Sequence, residues 1–117
     1  MSAWEHKIFA EDANIDFLDE LAELENEDII EAIRDACVLA TSGGRLSEDE
    51  INNGYAAATI AAIWCGAPYS AGDVVESYPF IRTLIGHADE ALAEAASEVL
   101  EGAETEEDLE ALIEALS

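Results

Sequence analysis

Two histidines, two cysteines and a large excess of carboxylates are the side chains that could do chemistry here. Their spacing argues against most of it. His87 precedes Glu90 and Glu94, and on one helix these three would set an imidazole and two carboxylates along one face, as metal sites in helical bundles require. Such sites also draw ligands from facing helices. The pattern is not repeated elsewhere in the chain, and neither Glu-x-x-His nor H-E-x-x-H occurs. A solvated acidic face is therefore the expectation for His87, and His6 beside Glu5 reads as a chance neighbour in an irregular N-terminal segment. Glu104, Glu106, Glu107, Asp108 and Glu110 are rich in oxygen but lack the alternating ligands and central glycine of a calcium loop, so they should only attract counterions diffusely.

Covalent catalysis has no better support. Cys37 and Cys65 form no C-x-x-C pair and lack a basic neighbour that would favour a thiolate, so buried, reduced thiols are expected; a disulfide between neighbouring helices stays open. There is no G-x-S-x-G elbow, no P-loop and no G-x-G-x-x-G, and Ser42-Gly43-Gly44-Arg45 reads as a turn. Carboxylate pairs are too common in this chain to single out a glycosidase-like pair. The expectation is a protein that is not an enzyme and uses no cofactor and no metal.

The carboxylates matter collectively. Twenty-eight Asp and Glu stand against four Lys and Arg, a formal charge of -24 on 117 residues, and Lys7 is the only lysine. A body this negative repels phosphate backbones and anionic lipid headgroups, which excludes nucleic-acid and membrane-surface binding as expectations. On a sphere of about 17 Å radius the self-repulsion is roughly 23 kcal/mol at physiological ionic strength and roughly 10 kcal/mol at 1 M salt, before the unfolded chain's own repulsion is subtracted.

Half of the residues are apolar, so the chain should fold, as one domain. It shows neither a signal-peptide core near Met1 nor an apolar run of membrane-spanning length, which points to a cytoplasmic protein. Apolar residues recur at helical spacing almost throughout, which predicts an all-α single domain, residues 1–117, built as a bundle of about five helices.

The first predicted helix runs from Asp12 to Leu24, with Ala13, Phe17, Leu21 and Leu24 inward, Ile15, Leu18 and Ala22 beside them, and acids outward. Asn26 is its successor's expected N-cap, and Ile29, Ile30, Ile33, Cys37 and Ala40 face inward there. Ser47 to Glu50 form an S-x-x-E capping box opening a helix over 48–65. No charged residue occurs from Ile51 to Gly72, which marks that helix as the central one. Gly66-Ala67-Pro68-Tyr69-Ser70 breaks it, and a short turn follows near Asp73–Ser77. One long helix is then expected from Phe80 to Leu100, with Ile81, Leu84, Ile85, Ala88, Leu92, Ala95, Ala96 and Val99 inward, Gly102 ending it and Thr105 capping a last helix through Leu109, Leu112, Ile113 and Leu116.

The opening segment holds Ser2-Ala3-Trp4, then Phe9, Asp12-Ala13, Asp16-Phe17-Leu18 and Leu21. It resembles the start of a bacterial family, the domain of unknown function numbered forty-two fifty-nine, as do Ala56-Ala57-Ala58, Gly66-Ala67-Pro68 and the acidic helix near Leu109. Ser2, Glu5 and Lys7 stand where that family favours glycine. The resemblance implies a small helical bacterial protein and carries no activity or catalytic residue with it. Physically, Trp4 and Phe9 suit a clamp packed on the first predicted helix, which Asp12 caps and whose outer face holds Asp16; alternatively Trp4 lines a binding surface.

Function reduces to three expectations. The first is a protein-interaction module, inhibitor-like or immunity-like, whose acidic faces bind a basic protein partner. Another is a charge coat adapted to salt or crowding, with no charge-directed partner. A homo-oligomer joined through apolar helix faces, such as a dimer, stays open. An even coat favours the second, whereas a dense acidic patch beside exposed aromatics favours the first.

Overall fold

The computed structural model describes residues 4–42, 44–67, 72–103 and 109–116, with the backbone alone for Glu5. These residues form helices α1 (Trp4–Phe9), α2 (Asp12–Ala22), α3 (Asn26–Thr41), α4 (Glu48–Trp64), α5 (Gly72–Ser77), α6 (Phe80–Thr83), α7 (Glu90–Glu101) and α8 (Glu110–Leu116). Among the described residues there is no strand, so the all-α expectation holds, with eight helices in place of about five. Five of the eight, α2, α3, α4, α7 and α8, have seven residues or more.

α4 begins at the predicted capping box. The Glu50 N–H donates to Ser47 Oγ and the Ser47 N–H donates to Glu50 Oε1, each at 3.1 Å. From Ala56 to Trp64 every residue is buried, because α1, α2, α3, α6, α7 and α8 all pack around it. Ile60, Ile63 and Trp64 each remove a large apolar surface from water, worth about 2–3 kcal/mol apiece. Close approach requires small residues. A Cβ on Gly54 would stand 2.5 Å from the Ala40 Cβ, so glycine on α4 and alanine on α3 set how near those helices can lie.

The end of α4 is satisfied twice over. Gly66 takes φ +103°, which costs glycine nothing, and lets its N–H reach the Ile63 carbonyl while the Ala67 N–H reaches that of Ala62. The Trp64 carbonyl accepts from Gly86 N–H at 2.8 Å. That contact helps explain where the expected long helix breaks. Phe80 to Leu100 as one α-helix would be about 31 Å long, more than the 29 Å across the molecule. The chain instead makes α6, turns at Gly86 with φ +93°, and restarts at α7. Asp89 is the new N-cap, its Oδ1 accepting from Leu92 N–H at 2.8 Å. Ile85, expected inside, is therefore exposed on the turn, while Ile81, Leu84, Leu92, Ala96 and Val99 are buried as expected.

Other boundaries also move. The segment around His6 is helical rather than irregular. Asp12 does not cap α2: it is the first helical residue, and Glu11 holds the cap position without a side-chain bond. Asn26 is displaced in the same way by Glu25. α2 stops at Ala22, leaving Leu24 exposed, and its inner stripe is Asn14, Leu18 and Leu21, with Phe17 half-buried and Ile15 turned toward solvent. On α3 the stripe is as expected, Ile29, Ile33 and Cys37 fully in and Ile30 and Ala40 partly so. Leu109, Leu112 and Leu116 are buried, whereas the Thr105 cap lies outside the described residues.

Candidate functional site

Trp4 and Phe9 are both buried, and the clamp they form closes on α4 as well as on α2. The Trp4 indole N–H donates to Thr59 Oγ1 at 2.9 Å, and that hydroxyl donates to the Tyr55 carbonyl one turn earlier at 2.8 Å. The Trp4 ring also meets Tyr55 at 5.4 Å with a tilt of 59°, an edge-biased aromatic contact. α1 is tied to α2 by the buried Asn14, whose Nδ2 donates to the Ile8 carbonyl at 2.7 Å. Asp12 and Asp16 sit on the exposed side of α2, so the structure separates them from the aromatic pair. Trp4 is thus buried in the core and not part of an exposed surface.

None of the catalytic or metal constellations forms among the described residues. His87 lies in the turn before α7 and not on its face with Glu90 and Glu94. His6 is exposed on α1, and no group of three potential metal ligands gathers. Glu104, Glu106, Glu107 and Asp108 lie outside the described residues, and of that cluster only Glu110 is described. Both cysteines are free thiols. Burial pushes the Cys37 thiol up to about 12, and burial also raises that of Cys65, so neither thiolate is favoured as a nucleophile.

Charge is where the surface has character. Asp19, Glu20, Glu23, Glu25, Glu27, Asp28, Glu31 and Asp35 are all exposed along the hairpin of α2 and α3. The only cation in this stretch, Arg34, pairs with Asp89 Oδ2 at 2.5 Å, so Asp89 caps α7 with one oxygen and binds α3 with the other. Glu27, Ile30, Glu31, Arg34 and Asp35 border a shallow hollow of about 330 Å³ on α3. At the rear of the hairpin the Tyr78 hydroxyl donates to Asp19 Oδ1 at 2.6 Å. That bond, then burial and the nearby negative charge, raises the phenol's pKa.

A second depression lies at the other end of α3. Ala40 and Thr41, then Leu46, Ile51 and Tyr55, and finally Glu98, Val99 and Gly102 enclose an open cleft of about 430 Å³ between α3, α4 and α7. The capping box aims the first turns of α4 along one wall, and Trp4 holds Tyr55 from behind. Sequence reasoning found neither depression. The buried Thr59 and Asn14 signalled only the docking of α1, since a polar side chain inside an apolar stripe needs a partner, and neither lines a depression.

A family model described as a domain of unknown function, DUF4259, matches residues 2–116, so the chain belongs to that family. No curated protein and no solved structure matches it.

Proposed function

We propose that this member of the DUF4259 family is a non-catalytic interaction module whose α2–α3 hairpin takes a basic protein partner. One observation carries this reading: seven exposed carboxylates, Glu20 to Asp35, line the hairpin beside the tyrosine-bound Asp19, while the one intervening cation is committed to Asp89. Such a surface accelerates encounter with a cationic partner and rejects polyanions, more through on-rate and choice of partner than through raw affinity. An inhibitor or immunity protein that neutralises a cationic enzyme is a concrete form of it. A bacterial cytoplasm suits the two free thiols. No described helix is long and apolar enough to cross a membrane.

The test is capture from a bacterial lysate at low and high salt, using the native protein, a Glu23/Glu27/Glu31→Gln variant and a Glu90/Glu94/Glu101→Gln control. The proposal expects one basic protein, lost at high salt and in the hairpin variant, and kept by the control. Failure to recover any partner at either salt overturns it.

A second reading has its own support. Carboxylates are also exposed on α7 and α8, and no aromatic side chain is fully exposed among the described residues, as an adapted charge coat would have it. On that reading, no specific partner is captured at either salt by any of the three proteins, and the melting temperature climbs from low salt to 1 M NaCl as self-repulsion is screened.

A further inference from the structure

The cleft between α3, α4 and α7 is the surface depression that the hairpin reading leaves without a role. Leu46, Ile51 and the edge of the mostly buried Val99 give it an aliphatic wall beside the polar Thr41, Tyr55 and Glu98, and Ile51 stays 36% exposed there. Among the described residues Glu98 is the one carboxylate on its lining, and Glu94 and Glu101 flank it four residues before and three after on the same side of α7, all exposed. We propose that this cleft seats a lysine side chain presented by a partner protein. Four methylenes would lie along Ile51 and Val99, and the ammonium would meet Glu98 at the rim, the division of labour that long cationic side chains use wherever an apolar surface meets water.

Charge complementarity selects this occupant. An anionic group would enter against the rim carboxylates and a net charge of -24. An uncharged aliphatic chain would use the walls but gain nothing from Glu98. A second copy of this chain would bring its own excess of carboxylates, with one lysine to offer. The proposal stands apart from the hairpin reading, because the cleft is at the Thr41 end of α3 and Glu27 is about 21 Å away along the same helix.

The experiment is an NMR titration of the full chain with N-acetyl-lysine amide, and with N-acetyl-norleucine amide as its uncharged counterpart. Saturable shifts should cluster on Ile51, Tyr55 and Val99. Binding should be roughly two- to fivefold weaker for norleucine, and weaker by a similar factor for lysine on Glu98→Gln, the range of a solvent-exposed ion pair. Ile51→Ala, which shortens the wall and leaves the charge, should weaken both probes together. Substituting Glu23, Glu27 and Glu31 by Gln should leave the titration unchanged, so failure of the hairpin reading and failure of this one are separate results. Shifts spread over every acidic helix, equal binding of the two probes, an unaltered Glu98→Gln titration, or cleft signals that move with protein concentration alone would each overturn the proposal. The last result would assign the cleft to a second copy of the chain.

Discussion

α4 and the stretch from Phe80 to Glu101 solve the same problem of burying aliphatic side chains, and they solve it in opposite ways. α4 runs about 26 Å as one rod, enclosed by neighbours on nearly every side, and carries no charge after Glu50. The later stretch lies outside it and holds Asp89, Glu90, Glu94, Glu98 and Glu101 toward solvent. A helix through the middle can be as long as the molecule is wide. One on the surface must follow its curvature, and here it does so by breaking at Gly86 and restarting at Asp89. Length against diameter, rather than helix propensity, separates the two.

The largest test of this contrast is at the centre. Gly54→Ala forces α3 and α4 apart at Ala40, and overpacking should cost about 2–3 kcal/mol after a small gain in helix propensity. Urea unfolding would measure the loss, and adding Ala40→Gly should restore most of it. Wild-type stability in Gly54→Ala would mean that the rod is less tightly enclosed than described.

At the restart the effects should be smaller. Asp89→Ala removes both the cap of α7 and the partner of Arg34, an expected loss of about 1.5 kcal/mol. Asp89→Asn keeps a capping oxygen and should lose less than half of that. If the two variants lose equally, the ion pair rather than the cap fixes the restart.

Gly86→Ala should cost about 1 kcal/mol, the strain of a left-handed alanine, since no atom lies within 4 Å of a Cβ there to add a clash. An alanine tolerated without loss would show that the break does not depend on the backbone of residue 86.

The smallest effect is alkaline and belongs to the enclosed side. Cys37 packs in the core with α4, and burial raises its pKa from 9.0 to about 12. The unfolded chain therefore loses the thiol proton first, and stability falls as pH rises through 9, by under about 1 kcal/mol at pH 9.5 relative to pH 7. Chemical denaturation from pH 8 to 10 would show this slope, and it should shrink in Cys37→Val to what Cys65 and Tyr78, whose pKa values are also raised, contribute.

How much could be read in advance follows from the same contrast. The span of α4 and its capping box were legible because local bonds between Ser47 and Glu50 define its start and an uncharged run defines its body. The break at Gly86 was not, because Ile81, Leu84, Ile85, Ala88 and Leu92 keep helical spacing straight through it, and the bond that rewards the turn comes from Trp64, twenty-two residues earlier. The candidate surfaces divide likewise. Acidity of the α2–α3 hairpin was plain in the sequence, whereas the commitment of Arg34 to Asp89, the burial of Trp4 against Thr59 and the cleft beside Glu98 each join residues more than fifty positions apart.

By itself, then, the sequence determined the all-α class, the central helix and the sign of the surface, since these follow from periodicity, local caps and summed charge. Tertiary structure decided the ends of α2, the division of Phe80–Glu101, the inward fate of Trp4 and the positions of both depressions. Those depend on how long a helix the finished diameter can hold and on which distant polar atoms find each other once the core has closed.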